Sequence, residues 1–242
     1  ARSRQDVADY FRRVEAAAVV QKYHPGPHEV GVFWIRDPQA KPGEPQGRIF
    51  AITVKEFSYL VGDGSRSIRK LILAHPRYRC QADVFFARFA GRLNEVLGEG
   101  ERLRLAEAGN HAQGTLFRDG RHLITPALEA AIDRIASSFS GRDGGGFDFG
   151  RFDVRYPDEQ ALREGRDLGL VELNGTMSEA TNLYDPDGSL FWSYGILFRQ
   201  WERLYALGAW RRSQGGRPVG AWRLWRMVRR AKREQGDITL SD

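Results

Sequence analysis

The sequence predicts an α+β fold in which helices flank a mainly antiparallel sheet. The sequence predicts strands at 19–23, 29–36 and 48–57. They are separated only by a Pro/Gly break at 24–27 and a Pro/Gly-rich loop at 37–47. Strand, break, strand, loop, strand is typical of an antiparallel meander. Elsewhere apolar residues recur at helical spacing, and a chain of 242 residues that is 41% hydrophobic can build a substantial core.

The first half begins with a helix and continues into the meander. Ser3 and Asp6 resemble a capping box, so a helix is expected to start there and to end near Ala17. Residues 19–23 are expected to form a buried strand. Alternation along the strand at 48–57 places the apolar side chains Phe50, Ile52 and Val54 on one face and Ile49, Ala51, Thr53 and Lys55 on the other.

The second half alternates helices with two further strands. Helices are expected around 67–73 and 81–97, and Thr125-Pro126 starts another, with Pro at the first helical position. A glycine-rich connection at 141–146 leads to strands at 150–155 and 170–175. A final amphipathic helix is expected to dock on the sheet through Leu190, Tyr194, Leu197, Trp201 and Leu204.

Composition narrows the function classes. The single cysteine, Cys80, allows no disulfide within the chain, which favours a reducing, cytoplasmic compartment. No apolar run approaches membrane-spanning length, so no transmembrane segment is predicted. The net charge of +6 permits nucleic-acid binding without favouring it, and the aromatic residues sit at helical spacing as core residues do, so no nucleic-acid partner is predicted. The basic stretch at 210–233 is typical of a solvated terminal helix. The alternative is a tail that binds a membrane surface or phosphate.

The strands at 150–155 and 170–175 carry the most informative chemistry. Side chains alternate along a strand, so Arg151, Asp153 and Arg155 share one face, as do Glu172 and Asn174. If the strands pair antiparallel, two acids and an amide converge as oxygen ligands suited to magnesium, and an arginine beside them suits a phosphate. Solvated surface strands, or two carboxylates acting as an acid/base pair in a hydrolase, are the alternatives. The five histidines lack metal-ligand spacing, which argues against zinc.

Three features of the first half are weaker signals. Lys55 ends a strand on the face opposite its apolar neighbours, where it is either a phosphate-binding charge or an ordinary surface lysine. Glu29 follows a Pro/Gly turn, and its carboxylate can accept hydrogen bonds from the hydroxyls of a ribose. The polar loop that contains Gly109 and Gly114 either approaches a ligand or is only a turn.

The two strands together resemble the magnesium-binding end of the ATP-grasp enzymes, which carry a G-R-x-D strand and an E-x-N strand. This resemblance implies that Asp153, Glu172 and Asn174 hold magnesium ions bridging the phosphates of ATP, and that Arg151 stabilises the transferred phosphoryl group. Residues 19–23 resemble the hinge of that family, which implies adenine contacts from the backbone of Gln21, Lys22 and Tyr23. It also implies a ribose contact from Glu29 and a phosphate contact from Lys55.

The resemblance implies an ATP-grasp-like fold over residues 1–207, followed by a basic, partly helical tail at 208–242. The stretch from Gly175 to Thr181, with Tyr184-Asp185-Pro186, is similar to a bacterial branch described as carboxylate–amine ligases. The expected activity is therefore ligation of a small-molecule carboxylate to an amine with Mg-ATP through an acyl phosphate. The family's upstream lysine and glycine-rich loop are absent from the sequence, so the chain is expected to be a fragment. A non-catalytic nucleotide-binding module is the alternative.

Overall fold

The computed structural model describes residues 3–13, 20–106, 109, 114–139 and 146–234. The chain divides into two compact units, one of Ala1–Tyr23 with Arg211–Asp242 and one of His24–Trp210. The division into a domain at 1–207 and a tail at 208–242 stays a prediction.

The described ranges contain seven α-helices and seven named strands. The helices are α1 (Arg4–Arg13), α2 (Ile68–Ala74), α3 (Ala82–Arg88), α4 (Pro126–Ser138), α5 (Glu159–Arg163), α6 (Leu190–Ser213) and α7 (Ala221–Glu234). The strands are β1 (His28–Arg36), β2 (Gly47–Glu56), β3 (Tyr59–Val61), β4 (Arg102–Arg104), β5 (Leu116–Asp119), β6 (Phe149–Tyr156) and β7 (Gly169–Asn174).

The main sheet has five strands in the order β5-β2-β1-β6-β7. Each neighbouring pair in this sheet is antiparallel. The predicted α+β class with a mainly antiparallel sheet is therefore confirmed. The central strand β1 is buried on both faces apart from its ends, because α4 and α6 pack against opposite sides of the sheet.

One face of the sheet carries the larger apolar core. Val32, Trp34, Ile52 and Phe152 pack there against α4. The predicted start of α4 is confirmed, since Pro126 is its first residue and the Thr125 hydroxyl accepts a hydrogen bond from the backbone N–H of Leu128. The predicted stripe of α4 packs into this core through Leu128, Ile132, Ile135 and Phe139.

A β-bulge changes the facing of the residues at the start of β2. The register shifts between Phe33 and Trp34, so that Phe33 lies opposite Ala51 and Trp34 lies opposite Ile49. Phe50 is the extra residue. The prediction that Phe50 shares a face with Ile52 is wrong, as is the grouping of Ile49 with Ala51. Phe50 packs with Phe33 and Ala51, and Ile49 packs with Trp34, because a bulge inserts one residue and reverses the alternation beyond it.

A second core surrounds the small sheet formed by β3 and β4. The helix predicted at 67–73 is confirmed as α2, but the helix predicted at 81–97 ends at Arg88. Beyond Arg88 the chain turns back, and the backbone carbonyls of Leu93 and Glu95 accept hydrogen bonds from the backbone N–H groups of residues 69 and 68. Leu93 and Leu97 are buried in this core, and these contacts outweigh helical periodicity.

The long helix α6 docks on the sheet as predicted, but with a different face. Its contacts with Phe33, Ile35 and Phe149 come from Trp192, Ile196, Leu204, Leu207 and Trp210. Of the predicted stripe only Leu204 belongs to this cluster, whereas Leu190, Tyr194 and Trp201 are exposed. Since apolar residues surround much of α6, spacing alone does not select the buried side.

The strand predicted at 19–23 is wrong for its described part. Residues 20–23 have no strand structure and are exposed. Both edges of β1 are already paired, with β2 and with β6. The predicted end of α1 near Ala17, Val19 itself and most of the glycine-rich connection lie outside the described residues.

The unit formed by the two ends of the chain contains α1 and α7. In α1, Ser3 and Asp6 form the predicted reciprocal cap, with the Asp6 N–H donating to Ser3 Oγ and the Ser3 N–H to Asp6 Oδ2.

Among the described helices, none combines the length and apolar character that crossing a bilayer requires.

Candidate functional site

The charged residues of the candidate site occupy one face of the main sheet, the face on which α6 also packs. Glu29 on β1 lies opposite Lys55 on β2 and opposite Arg155 on β6. One pair further along, Gly31 lies opposite Asp153. Because side chains directly opposite each other share a face, three strands deliver two acids and two bases to one patch.

These residues form a buried ion network centred on Lys55. Lys55 Nζ lies 2.6 Å from Glu29 Oε1 and 3.0 Å from Asp153 Oδ2. Arg155 Nε lies 3.4 Å from Glu29 Oε2, and Arg151 Nε lies 2.8 Å from Asp153 Oδ1. The side chain of Lys55 is only 4% exposed, so the interpretation of Lys55 as an ordinary surface lysine is wrong.

The network keeps Asp153 ionised. Burial by itself would raise the pKa of the Asp153 carboxyl, but the charges of Lys55 and Arg151 and their hydrogen bonds outweigh it and lower that pKa below its ordinary value. A carboxylate that is ionised at neutral pH is what a cation site requires. In this structure Lys55 supplies the positive charge between Glu29 and Asp153.

Strands β6 and β7 pair antiparallel as the face-sharing pattern predicted. Asp153 lies opposite Glu172 and Arg151 lies opposite Asn174. A register shift follows at Val154, which pairs with Leu170 and leaves Val171 as the extra residue. The bulge allows Glu172 and Asn174 to point to the charged face while Leu170 still packs into the apolar core on the opposite face.

The amide of Asn174 connects Glu172 to Arg151. With its oxygen oriented toward Arg151, Asn174 accepts a hydrogen bond from Arg151 Nη2 at 3.3 Å and donates one to Glu172 Oε1 at 3.3 Å. This orientation is assigned from the neighbouring donors and acceptors. Glu172 itself is exposed. The three predicted magnesium ligands therefore occupy adjoining positions on one face, and their role as ligands stays a prediction.

The segment after β7 is held by α6. The side chain of Gln200 is buried, accepts a hydrogen bond from the Ala180 N–H at 2.8 Å and donates one to the Ser178 carbonyl at 3.0 Å. Between these residues the Glu179 carbonyl accepts a hydrogen bond from Arg151 Nη1 at 3.1 Å. Gln200 thus positions the backbone that orients Arg151.

Tyr184 is tied to the same segment. Its hydroxyl donates to Glu179 Oε2 at 2.5 Å, and this hydrogen bond, reinforced by partial burial and the charge of Glu179, raises the pKa of Tyr184 to about 12.

Two glycines leave room for the ion network. A Cβ on Gly31 would lie 2.8 Å from the Arg151 side chain, and a Cβ on Gly109 would lie 2.7 Å from Glu29 Oε1 and 2.8 Å from Lys55 Cδ. Of the predicted polar loop, Gly109 therefore packs directly over Glu29 and Lys55, while residues 110–113 lie outside the described residues. Gly114 instead accepts hydrogen bonds from Ser58 and Arg77 through its carbonyl.

Gly150 is required at the start of the candidate site. Its φ of +145° is rarely adopted by other residues, and a Cβ there would lie 2.0 Å from the carbonyl oxygen of Asn174. We expect Gly150→Ala to loosen β7 and to lower the free energy of unfolding by about 2 kcal/mol or more. Urea denaturation measures this. Gly91→Ala, at an open position without positive φ, is the matched control, and equal effects of the two changes would contradict the explanation.

The predicted adenine-binding residues do not belong to the compact unit that contains the ion network. Gln21, Lys22 and Tyr23 belong to the other compact unit and are exposed, and their contact with adenine stays a prediction. Sequence reasoning assigned no role to Arg155, Gln200 or Gly31. For Arg155 the signal was present, because it shares a face with Arg151 and Asp153, whereas Gln200 on a helix gives no such signal.

The fit of the site to a metal ion depends on its donor types. Two carboxylates on facing positions and one amide suit magnesium, which typically takes one or two carboxylates and completes its octahedron with phosphate and water. Within the described ranges, no group of three or more His, Cys, Asp or Glu side chains is arranged to hold a metal by itself. The donor set thus fits an ion shared with a phosphate ligand, with Asp153 and Glu172 as its carboxylates.

The open clefts described for this structure lie elsewhere on the sheet. One of about 280 Å³ is lined by residues that include Asp119, Asn182 and Arg199, and a neighbouring one is lined by residues that include Asp185 and Trp192. Neither is lined by a residue of the ion network. The charged groups of that network pack against one another and line neither of these two clefts.

Comparisons with known proteins give structural similarities but no match in sequence. No protein-family model matches the chain, and no curated protein sequence matches it. Among solved structures, a bifunctional glutathione synthetase from Pasteurella multocida is similar, with a TM-score of 0.43 and 14% identity over 75% of this chain and 24% of that chain. The chain thus spans about a quarter of the length of that protein. At this TM-score the similarity supports no assignment of activity, which has to come from the site.

Proposed function

We propose that the charged face of the sheet binds Mg-ATP and that the protein is an ATP-dependent ligase joining a carboxylate to an amine. The observation that carries the proposal is the set of four residues on β6 and β7, with Asp153 opposite Glu172 and Arg151 opposite Asn174. These are the residues through which the sequence resembles the ATP-grasp enzymes. Their arrangement combines magnesium-type ligands with a phosphate-type cation on one surface.

The roles proposed for the residues of β6 and β7 follow from their positions and contacts, and those proposed for the remaining residues follow from the resemblance. Asp153, Glu172 and Asn174 would hold magnesium, which neutralises phosphate charge when it is bound. Arg151, oriented by Asp153 and the Glu179 carbonyl, would stabilise charge on the transferred phosphoryl group. Lys55 would contact the phosphates, Glu29 the ribose hydroxyls, and the backbone at Gln21, Lys22 and Tyr23 the adenine.

The reaction proposed has two steps. A carboxylate oxygen attacks the γ-phosphorus of ATP and ADP leaves, which gives an acyl phosphate. The amine then attacks the acyl carbon and phosphate leaves, with loss of a proton from the amine. The protein contributes mainly positioning and charge neutralisation to such phosphoryl transfer.

A second candidate is a nucleotide-binding module without turnover. The observation that favours it is that both buried carboxylates are already paired, since Glu29 and Asp153 each lie beside two cationic side chains. Magnesium would have to compete with Lys55 for Asp153, and a phosphate would have to compete with Glu29 and Asp153 for Lys55. Such a site can bind a nucleotide without positioning a reactive carboxylate beside it.

Two measurements separate these functions. Calorimetric titration with ATP is expected to show binding in the presence of Mg²⁺ and much weaker binding with EDTA. Phosphate and ADP release are then measured with a mixture of free amino acids, dipeptides and short dicarboxylates. Phosphate release that requires this mixture supports the ligase, whereas magnesium-dependent binding without release supports the module. Absence of magnesium-dependent binding would contradict both.

A further inference from the structure

The helix α7 has the composition of a surface-binding helix. Its fourteen residues, AWRLWRMVRRAKRE, include six basic residues and one acidic residue, the last. Five large apolar side chains are between 44% and 64% exposed, namely Trp222, Leu224, Trp225, Met227 and Val228. So many exposed large apolar groups on one short helix call for an environment that covers them.

Most apolar and basic residues of α7 separate onto two sides. At about 100° per residue, Leu224, Trp225, Val228 and Ala231 fall within one arc, with Met227 at its edge, while Arg223, Arg226 and Arg230 fall on the opposite side. By the same spacing Lys232 is the one basic residue that falls within the apolar arc. Trp225 stacks on Trp222 with ring centroids 4.6 Å apart, and the Arg229 guanidinium lies 4.7 Å from the Trp225 ring. Tryptophan at the border between apolar and charged sides is typical of helices at a membrane interface.

We propose that α7 is a membrane-surface helix that binds bilayers containing anionic lipids. Its apolar side enters the boundary between headgroups and acyl chains, and its arginines face the phosphate and carboxylate groups of the lipids. The charge complementarity selects this occupant, because a cationic side flanking an apolar side matches an anionic surface over a hydrocarbon layer. At about 21 Å the helix is shorter than the hydrocarbon core, so it lies in the plane of the membrane.

The test is binding of the full chain to lipid vesicles. Co-sedimentation is measured with vesicles of phosphatidylcholine alone and of phosphatidylcholine with 30% phosphatidylglycerol. We expect binding to the anionic vesicles only, weakened by 0.5 M NaCl because salt screens surface charge. Arg226→Gln is expected to weaken it about fivefold, since each basic residue near an anionic surface contributes about 1 kcal/mol.

A double variant that leaves the net charge unchanged distinguishes binding of α7 to a membrane from binding to a nucleic acid. Trp225→Ser with Val228→Ser is expected to weaken vesicle binding by about 30-fold or more, because it removes two apolar anchors. Trp201→Ser with Val61→Ser is the matched control, since these residues are similarly exposed, at 45% and 55%, but belong to α6 and β3; we expect it to bind as the wild type does.

Three outcomes would overturn the proposal. These are no binding to anionic vesicles, equal binding to neutral vesicles, and an α7 double variant that still binds vesicles like the wild type. In the last case, binding to double-stranded RNA with an affinity similar to that for anionic vesicles would identify α7 as a general polyanion-binding helix. Circular dichroism of both double variants verifies that they are folded.

Discussion

Lys55→Met is expected to lower the free energy of unfolding at pH 7 by about 3 to 5 kcal/mol. The change removes the cation that lies 2.6 Å from Glu29 and 3.0 Å from Asp153, while both carboxylates stay buried. Arg155 and Arg151 each compensate only one of them. Methionine keeps most of the shape of the lysine side chain, so the loss reports on charge and not on packing.

The difference in the free energy of unfolding between the wild type and Lys55→Met is expected to depend on pH. In the wild type the pKa of Asp153 is lowered on folding, so its contribution to stability is present above the ordinary pKa of about 3.9 and is lost as the pH falls through the lowered value. Without Lys55, only Arg151 opposes the effect of burial, so the pKa of Asp153 is higher than in the wild type and the folded variant takes up a proton more easily. The difference between wild type and variant is therefore expected to shrink as the pH falls from 7 to 4.5.

Urea denaturation at both pH values measures the effect of Lys55→Met. Lys70→Met, at an exposed position on α2, is the control and is expected to change the free energy of unfolding by less than about 0.5 kcal/mol. A Lys55 variant as stable as the control, or a deficit that does not vary with pH, would show that the ion network is not formed in solution.

Glu172→Gln is expected to weaken magnesium-dependent ATP binding by at least about tenfold without unfolding the protein. The substitution removes one of the two carboxylates proposed as magnesium ligands and keeps the shape of the side chain. Because Glu172 is exposed at the edge strand β7, the free energy of unfolding is expected to stay within about 0.5 kcal/mol of the wild type.

The measurement for Glu172→Gln is calorimetric titration with ATP at fixed Mg²⁺, repeated with EDTA. Glu202→Gln, an exposed acid on α6, changes the net charge by the same amount and is expected to bind ATP like the wild type. An unchanged affinity in Glu172→Gln would remove Glu172 from the site, and equal losses in both variants would indicate a general effect of charge.

Local patterns determined much of the fold by themselves. Alternation along a strand placed Arg151 with Asp153 and Glu172 with Asn174, and the pairing of β6 with β7 puts these sets on one face. The start of α4 followed from Thr125 and Pro126, because capping is a matter of neighbouring residues. Such features depend on a few consecutive residues, which is why they can be read without the rest of the chain.

Tertiary structure alone decided the features that depend on distant residues. The bulge at Phe50 reverses the facing of Ile49 because β2 must match β1, and α6 buries the face of Ile196 and Leu207 because that face meets Phe33 and Phe149. The burial of Lys55 between Glu29 and Asp153 joins residues far apart in the sequence. No local pattern distinguishes a buried lysine with two carboxylate partners from a solvated one at a strand end, since the difference lies in which strands pair and in what packs over them.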